Sequence, residues 1–441
     1  MYKLRICGSV LGLVLLICAA GPAIFAQTTT QPSPADLEKR VADLEKQLQA
    51  LRAELSTAQA KSPETPVAPA TAAATPAPAP ADPLSGISSV IGGSTFTGLV
   101  DGYYSYDANQ PANHIAGNHF FDNSANEFAL NLIELGLTKT PDASDRLGYT
   151  ATLGFGNAMS VVNSGDPSFL QYVKEAYMSY LAPVGKGLQI DFGKYVTPAG
   201  AEVIESNQNW NYSRSLLFYY AIPYYHFGLR AKYTFNDKWS LTGYVMNGWN
   251  NVVSTNSGKT GGLTIAWNPT KKVSLSENWL GGPGALPLDN MGWRNLSDTV
   301  LTYNPNAKLS LMVNGDYGRV EKALGFVDPA EYYGAAGYIK YQVNPKWAVA
   351  TRYEYLNDPE GVATGTYNAA AGTAPAFFVP TPGHVQEATG TVERRIAQHL
   401  ITRLEFRHDL ATQPMFLKGT TPVLGQSTAT AGLIFVWEPP R

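Results

Sequence analysis

The sequence has little cysteine and little charge, and each shortage excludes a class of protein. Its 441 residues include two cysteines, Cys7 and Cys18, and both lie near the start of the chain. Charged residues make up 15%, against roughly 25% in an average soluble domain. The formal net charge is −3, which gives no basic face for nucleic acid. We therefore expect neither disulfide stabilisation of the main part of the chain nor a nucleic-acid partner.

Long apolar runs are missing as well. A membrane-spanning helix needs about 20 apolar residues, and the run at 10–20 is shorter. Two basic residues precede it and small residues follow as far as Ala26, which is the order of a secretory signal. We predict a cleaved signal peptide over residues 1–26. A lipoprotein signal at Cys18 is the alternative, although Ile17 occupies a position where a small residue is expected.

The region after the signal combines a heptad pattern with a low-complexity stretch. Residues 36–55 repeat Leu or Val at alternating spacings of four and three, with charged and amide side chains between, which predicts a coiled-coil helix within 27–60. A single amphipathic helix lying on a surface is the alternative. Residues 61–92 are rich in Ala, Pro and Thr, which predicts a disordered, extended linker. The helix would lie in the periplasm, where residues 36–55 could contact the cell wall.

The main part of the chain, residues 93–441, reads as β-strands. Alternating apolar and polar residues between turn signals predict an all-β fold, a transmembrane antiparallel barrel of about 16 strands. The predicted strands are 95–107, 127–139, 146–156, 170–181, 187–195, 224–235, 238–248, 260–268, 271–280, 298–303, 307–318, 332–343, 346–356, 385–395, 398–408 and 426–437.

The lengths of the connections alternate strictly. Every second one is a short turn rich in Asn, Asp, Pro or Gly, and the connections between them are long. Outer-membrane barrels have this asymmetry, with short periplasmic turns and long external loops. The short turns are 140–145, 182–186, 236–237, 269–270, 304–306, 344–345 and 396–397; the longest loops are 108–126, 196–223, 281–297, 357–384 and 409–425.

Strand parity separates a lipid face from a wet lumen face. In strand 224–235, Phe227 and Leu229 alternate with Arg230 and Lys232. One acidic residue breaks the pattern, because Glu277 falls in phase with the apolar residues of strand 271–280. Either a bulge shifts that phase or Glu277 lies near a rim or a protomer contact. The lumen-facing charges of strands 346–356 and 398–408 are Arg352, Glu354, Arg403, Glu405 and Arg407.

The connection 196–223 is predicted to narrow the pore. A sixteen-strand barrel encloses an aqueous lumen, and a long loop folded inward would restrict it. Charges on the loop opposite charges on the wall would create a transverse field across the gap. Replacing those on the loop should then shift ion preference. The predicted constriction residues are Glu202, Glu205, Arg214, Arg230, Lys232, Arg352, Glu354, Arg403 and Arg407.

Three segments in and around this loop resemble a known family. They are GKYVTPAGAE at 193–202, NYSRS at 211–215 and PYYHFGLR at 223–230, and they are similar to the OmpL-like β-barrel porins of Gram-negative bacteria. The resemblance implies passive diffusion of small hydrophilic solutes, and general porins imply a homotrimer with an inward third external loop. Residues 196–223 are the third long connection by our count. The chain departs from the usual terminal aromatic residue by ending in EPPR at 438–441.

Other functions are weighed against a pore. An enzyme is not expected, because the six histidines have no metal-ligand spacing and no Ser-centred Gly turn is present. No cofactor or metal is expected either. Two alternatives stay open: a structural anchor that tethers the outer membrane to the cell wall through the coiled coil, and a channel specific for a sugar or an anion.

Overall fold

The chain forms a closed barrel of sixteen antiparallel strands in the computed structural model. The structure describes residues 46, 49, 92–254, 256–283, 292–322, 328–368, 377–379 and 382–437. The barrel strands are β1 Thr95–Asp107, β2 Glu127–Lys139, β3 Leu147–Phe155, β4 Val173–Ala182, β5 Leu188–Val196, β6 Tyr225–Asn236, β7 Trp239–Met246, β8 Thr260–Thr270, β9 Val273–Pro283, β10 Trp293–Tyr303, β11 Leu309–Val320, β12 Ala330–Asn344, β13 Trp347–Asp358, β16 Gly383–Ala397, β17 Leu400–Ala411 and β20 Gly425–Trp437.

Smaller elements lie in the long connections. Two hairpins pair β14 Thr366–Asn368 with β15 Phe377–Val379, and β18 Phe416–Lys418 with β19 Thr421–Val423. The helical elements are α1 Asn157–Val162, the 3₁₀ turns Ser168–Leu170 and Ser206–Gln208, and a π-helical turn Leu217–Ala221. No helix in the described ranges is long and apolar enough to cross a membrane.

Each of the sixteen predicted strands is present in the predicted order, which confirms the fold class. The first two strands have the predicted bounds. The largest difference is in β10, which was predicted to begin at residue 298 and begins at Trp293. Its first five residues mix polar and apolar types, but they extend because they pair with β9 as far as Pro283.

The chain divides into two compact units, Met1–Ala81 and Asp82–Arg441. In the first unit Lys46 and Gln49 are described, and both are helical and exposed. Apart from these two residues and Gly92, the predicted signal peptide, coiled coil and linker lie outside the described residues. Their boundaries at 1–26, 27–60 and 61–92 stay predictions.

One side-chain device recurs in three of the short turns. The Oδ1 atoms of Asn236, Asn306 and Asn344 each accept the backbone N–H groups two and three residues ahead, at 2.9–3.1 Å. An Asn side chain bonded to its own backbone in this way stabilises a tight reversal. The amide therefore fixes the register of each strand pair that it joins.

The barrel carries its apolar side chains outward and its charged ones inward. On β17, Leu404 and Phe406 are 66% and 57% exposed, while the alternating Arg403 and Arg407 are each 1% exposed. Aromatic pairs such as Phe96–Trp437 and Trp239–Trp267 gather at the short-turn end, with ring centroids 5.0 and 5.4 Å apart. An apolar outer band with an aromatic girdle is the surface that a bilayer requires.

Glu277 remains on the outer face of β9. It pairs in register with Thr299 and Ile265, and the register shift of that sheet pair lies beyond Trp267. No bulge therefore changes its phase. The Glu277 carboxylate accepts hydrogen bonds from the hydroxyls of Ser297 and Thr299 on β10, which lowers the cost of its position among apolar neighbours.

Candidate functional site: a loop anchored inside the barrel

The connection 196–223 leaves β5 and crosses the lumen. In the closed order of sixteen strands β13 stands eight places from β5 in either direction, so the two lie on opposite walls. The loop reaches β13 through hydrogen bonds from Leu216 N and Leu217 N to the Glu354 carboxylate, at 2.6 and 3.2 Å. It therefore spans the full width of the barrel.

Arg352 on β13 joins the loop to the wall. Its Nη1 donates to Glu202 Oε1 and to the Ser213 carbonyl, each at 2.8 Å, and its Nε donates to Glu387 Oε1 on β16 at 2.5 Å. These side chains are almost fully buried. Removing one partner from a buried pair leaves a charge without compensation, at a cost of about 3–5 kcal/mol.

Arg403 on β17 holds the middle of the loop by its carbonyl groups. Its Nη1 donates to Ser206 O at 2.6 Å and to Asn211 O at 2.9 Å, and its Nη2 donates to Asn209 O at 2.7 Å. The same guanidinium pairs with Glu393 on β16 at 2.7 Å. Three carbonyls on one guanidinium fix the backbone of the loop as well as its side chains.

Glu405 lies on the same face of β17, between two arginines. Its carboxylate accepts Tyr212 N at 2.5 Å and Ser213 N at 2.9 Å. The Tyr212 hydroxyl donates to Asp101 on β1 at 2.8 Å. Asn131 is the extra residue of β2 where its register with β1 shifts, and its Nδ2 donates to Asp101 at 2.6 Å. The loop is thus bound both to β1, the first strand of the barrel, and to β17, one of the last.

Arg214 stabilises the loop from within. Its guanidinium donates to the carbonyls of Val203, at 3.0 Å, and of Ile204 and Tyr212. Arg407 in turn donates to the Arg214 carbonyl at 2.8 Å and pairs with Asp409 at 2.6 Å. A cation that satisfies three carbonyls lets an irregular segment be buried without orphaned acceptors.

Lys174 on β4 anchors the near side of the loop. A register shift at Thr152 and Leu153 of β3 accompanies the inward turn of Lys174, whose Nζ bonds Glu134 Oε2 at 2.6 Å and also contacts Glu205 of the loop. Burial raises the pKa of the Glu205 carboxyl, but the Lys174 ammonium outweighs it and holds that pKa below its usual range. Glu205 therefore carries a charge in the folded protein.

The structure brings together seven of the nine residues predicted for the constriction. They are in direct contact or share a partner, whereas the sequence predicted charges facing one another across an open gap. Lys232 and Arg230 are the exceptions. Lys232 is exposed on the lumen face near the short-turn end, and Arg230 donates to Asp191 on the neighbouring strand at 2.7 Å. The seven are Glu202, Glu205, Arg214, Arg352, Glu354, Arg403 and Arg407.

Sequence reasoning missed the acidic partners of the arginines and one lysine. Strand parity carried the signal for several, since Glu405 shares a face with Arg403 and Arg407, and Glu387 shares a face with Glu393. It carried none for Lys174, because the neighbouring bulge changes the phase there. Glu405 was placed on the lumen face but not counted in the constriction. The residues missed are Asp101, Lys174, Glu387, Glu393 and Asp409.

The sequence profile described as "Putative beta-barrel porin-2, OmpL-like" matches residues 93–436. The chain belongs to this family of β-barrel porins. The resemblance predicted from the segments around the loop is thereby confirmed, and the barrel is an outer-membrane channel of bacteria. None of the curated proteins matches the chain.

Solved porin structures share the fold. The in-vitro folded OmpT of Vibrio cholerae, in its trimer form, superimposes with a TM-score of 0.51 and 11% identity, covering 78% of this chain and 99% of that one. OprB of Pseudomonas putida superimposes with a TM-score of 0.50 and 12% identity, covering 78% of this chain and 94% of that one. At these identities the likeness concerns the barrel fold alone.

Proposed function

We propose that this porin is a passive diffusion pore for small hydrophilic solutes, narrowed by the loop 196–223. The observation that carries the proposal is the position of the loop, which crosses the lumen and is bound to both walls through Lys174 and Arg352. A loop held by buried ion pairs keeps one shape, so the pore selects by size. Lys232, exposed on the lumen face, lies near the short-turn mouth.

We also propose where the N-terminal region lies and how many copies of the chain assemble. We place the N-terminal helix in the periplasm, with residues 61–92 as the linker to the barrel, and we propose a homotrimer. Contact between residues 36–55 and the cell wall stays a prediction. Deleting residues 27–83 separates these roles, because a pore would keep its conductance and a tether would lose its effect on the envelope.

Conductance tests the pore directly. The purified protein in planar bilayers should give discrete conductance steps, and proteoliposomes should swell in small sugars at rates that fall with solute size. An aqueous lumen restricted by a fixed loop requires both results. Liposomes that stay sealed to the smallest sugars would overturn the proposal.

Neutralising the two glutamates of the loop should shift ion preference. In a Glu202→Gln, Glu205→Gln variant, Arg352 and Lys174 lose a carboxylate each, so the pore should favour anions more strongly. The measurement is the reversal potential in a KCl gradient. Glu331→Gln, at an exposed position on the outer face, is the matched control and should leave it unchanged. An unaltered reversal potential in the double variant would contradict the placement of the loop in the conduction path.

A further inference from the structure

A lysine recurs at the same position in four of the short turns. Each of these turns has Asn or Thr, then any residue, then Lys, and then the apolar residue that begins the next strand. Their sequences are NDKW at 236–239, TKKV at 270–273, NAKL at 306–309 and NPKW at 344–347. The four lysines, which we call the basic rim, are Lys238, Lys272, Lys308 and Lys346.

The lysines of the basic rim are exposed and unpaired. All four are exposed to solvent. In the described part of the chain the lysines that form ion pairs are Lys139, Lys174 and Lys194, so no carboxylate there neutralises the rim. Its four ammonium groups are therefore free to meet a solute.

The backbone places the basic rim on the lumen side of the sheet. The Lys238 carbonyl accepts Asn268 N at 2.8 Å, so the ladder that pairs Trp239 with Trp267 continues for one more residue. The other three lysine carbonyls accept an N–H group of the neighbouring hairpin at 2.7–2.8 Å in the same way. Successive side chains of a strand point to opposite faces, and Trp239 and Trp347 lie on the outer face, 42% and 39% exposed. The lysine side chains therefore leave the backbone on the lumen side.

The basic rim extends around half of the short-turn mouth at a regular interval. Its lysines lie at every second connection from β6 to β13, which are eight of the sixteen strands. Adjacent strands are about 4.8 Å apart, so the lysines recur at about 10 Å. Asp237 is the one acidic residue in the four turns. Since the Debye length at 0.1 M salt is also about 10 Å, the fields of neighbouring lysines add.

Charges deeper in the lumen are neutralised within the protein. Arg352 pairs with Glu202 at 2.8 Å, and Arg403 pairs with Glu393 at 2.7 Å. At the short-turn end, Lys232 on the lumen face of β6 is exposed and adds its charge to that of the basic rim. This mouth of the pore therefore presents a positive surface to the solution.

We propose that the basic rim binds small anions that carry several negative charges and draws them into the pore from the short-turn side. This proposal rests on the pore function and names a class of solute for it. A single exposed ammonium holds an anion weakly, but long, flexible lysine side chains let neighbouring ammonium groups approach the same multivalent anion. A mouth lined by one sign of charge also raises the local concentration of the opposite ion.

Inorganic tripolyphosphate tests the basic rim in planar bilayers of uncharged lipid. In single channels of the parent, the concentration that halves the KCl current should be about tenfold lower on one side of the membrane than on the other, because the rim lies at one mouth. Replacing all four lysines of the rim with Gln should abolish this difference. It should also lower the permeability ratio of chloride over potassium about threefold.

Two variants serve as controls. Replacing the four lysines with Arg keeps the charges, so the one-sided block should persist. The second control removes the same number of exposed cations from the long-loop half of the barrel and should also keep the block from the short-turn side. Its substitutions are Lys259→Gln, Arg319→Gln, Lys322→Gln and Lys418→Gln.

The outcomes separate the basic rim from the pore and from the lipid. Equal block from both sides in the parent, or a one-sided block that survives in the four-Gln variant, would overturn the proposal. Loss of bound phosphatidylglycerol in that variant with an unchanged block would assign the rim to lipid headgroups instead. Calorimetry in low-salt detergent measures tripolyphosphate binding on the same preparations. A parent that conducts but does not bind it overturns the rim and keeps the pore; one that binds through the four lysines but does not conduct keeps the rim and overturns the pore.

Discussion

Replacing Arg352 with Met is expected to release the loop from the far wall and to raise the single-channel conductance severalfold. Arg352 is the shared partner of Glu202 and Glu387 and also donates to the Ser213 carbonyl. Without it, buried Glu202 loses its counter-charge and Glu387 keeps only Arg407, 3.7 Å away; breaking a buried pair costs about 3–5 kcal/mol. Detachment of the loop relieves this cost, because water then reaches the carboxylates.

The test combines planar-bilayer conductance with thermal unfolding in detergent. Arg319→Met is the matched control, since Arg319 and Glu331 are 3.9 Å apart and their side chains are 46% and 44% exposed. An exposed pair of this kind contributes about 0–1 kcal/mol. Arg352→Lys keeps the positive charge but loses the several N–H donors of the guanidinium. Its conductance and its unfolding temperature should therefore lie between those of the parent and of the Met variant. A folded Arg352→Met barrel with parental conductance would show that Arg352 does not hold the loop.

Replacing Gly432 with Val is expected to act in the opposite direction and to lower the conductance. Gly432 lies on the lumen face of β20, and a Cβ there would run into the ring of Tyr212. The loop stays bound through Arg352, so the displaced ring moves into the lumen. Overpacking of this kind costs about 1–3 kcal/mol, which should appear as a lower unfolding temperature.

Gly390→Val is the matched control for this substitution. Gly390 lies on the outer face of β16, and a Cβ there meets nothing within 4 Å. Conductance and unfolding temperature should both stay near the parental values. Adding Tyr212→Ala to Gly432→Val removes the obstructing ring and should restore conductance to at least the parental level. A Gly432→Val protein with unchanged conductance would contradict the contact between Tyr212 and the wall.

The barrel could be predicted because each strand carries its own evidence. A period of two, an Asn or Pro at six of the seven short turns and the alternation of connection lengths are local properties that the closed sheet keeps. The start of β10 was missed because pairing with β9, and not its own composition, extends it. Glu277 shows the same limit: its phase was read correctly, but the hydroxyls of Ser297 and Thr299 that donate hydrogen bonds to it on the outer face belong to another strand.

The site was only partly predictable, since its contacts join residues far apart in the chain. The alternation of side chains along the strands placed Arg352 and Arg403 on the lumen face, and the loop was singled out because it is long. Neither could show that the charges meet directly, because the path of the loop across the lumen decides that. The position of Lys174 could not be predicted from the sequence, because the register shift between β3 and β4 alters which side chains turn inward.

The wide separation of these partners imposes an order of events during synthesis. Leu216 bonds Glu354 across 138 residues of chain, and Ser206 bonds Arg403 across 197. β1, near the start of the barrel, closes on β20, which is its last strand. Non-local pairing of this kind slows folding. The segment 196–223 must therefore cross the periplasm undocked, with Glu202 and Glu205 in water. The segment 196–223 should then become resistant to protease only when the final strands have joined the barrel.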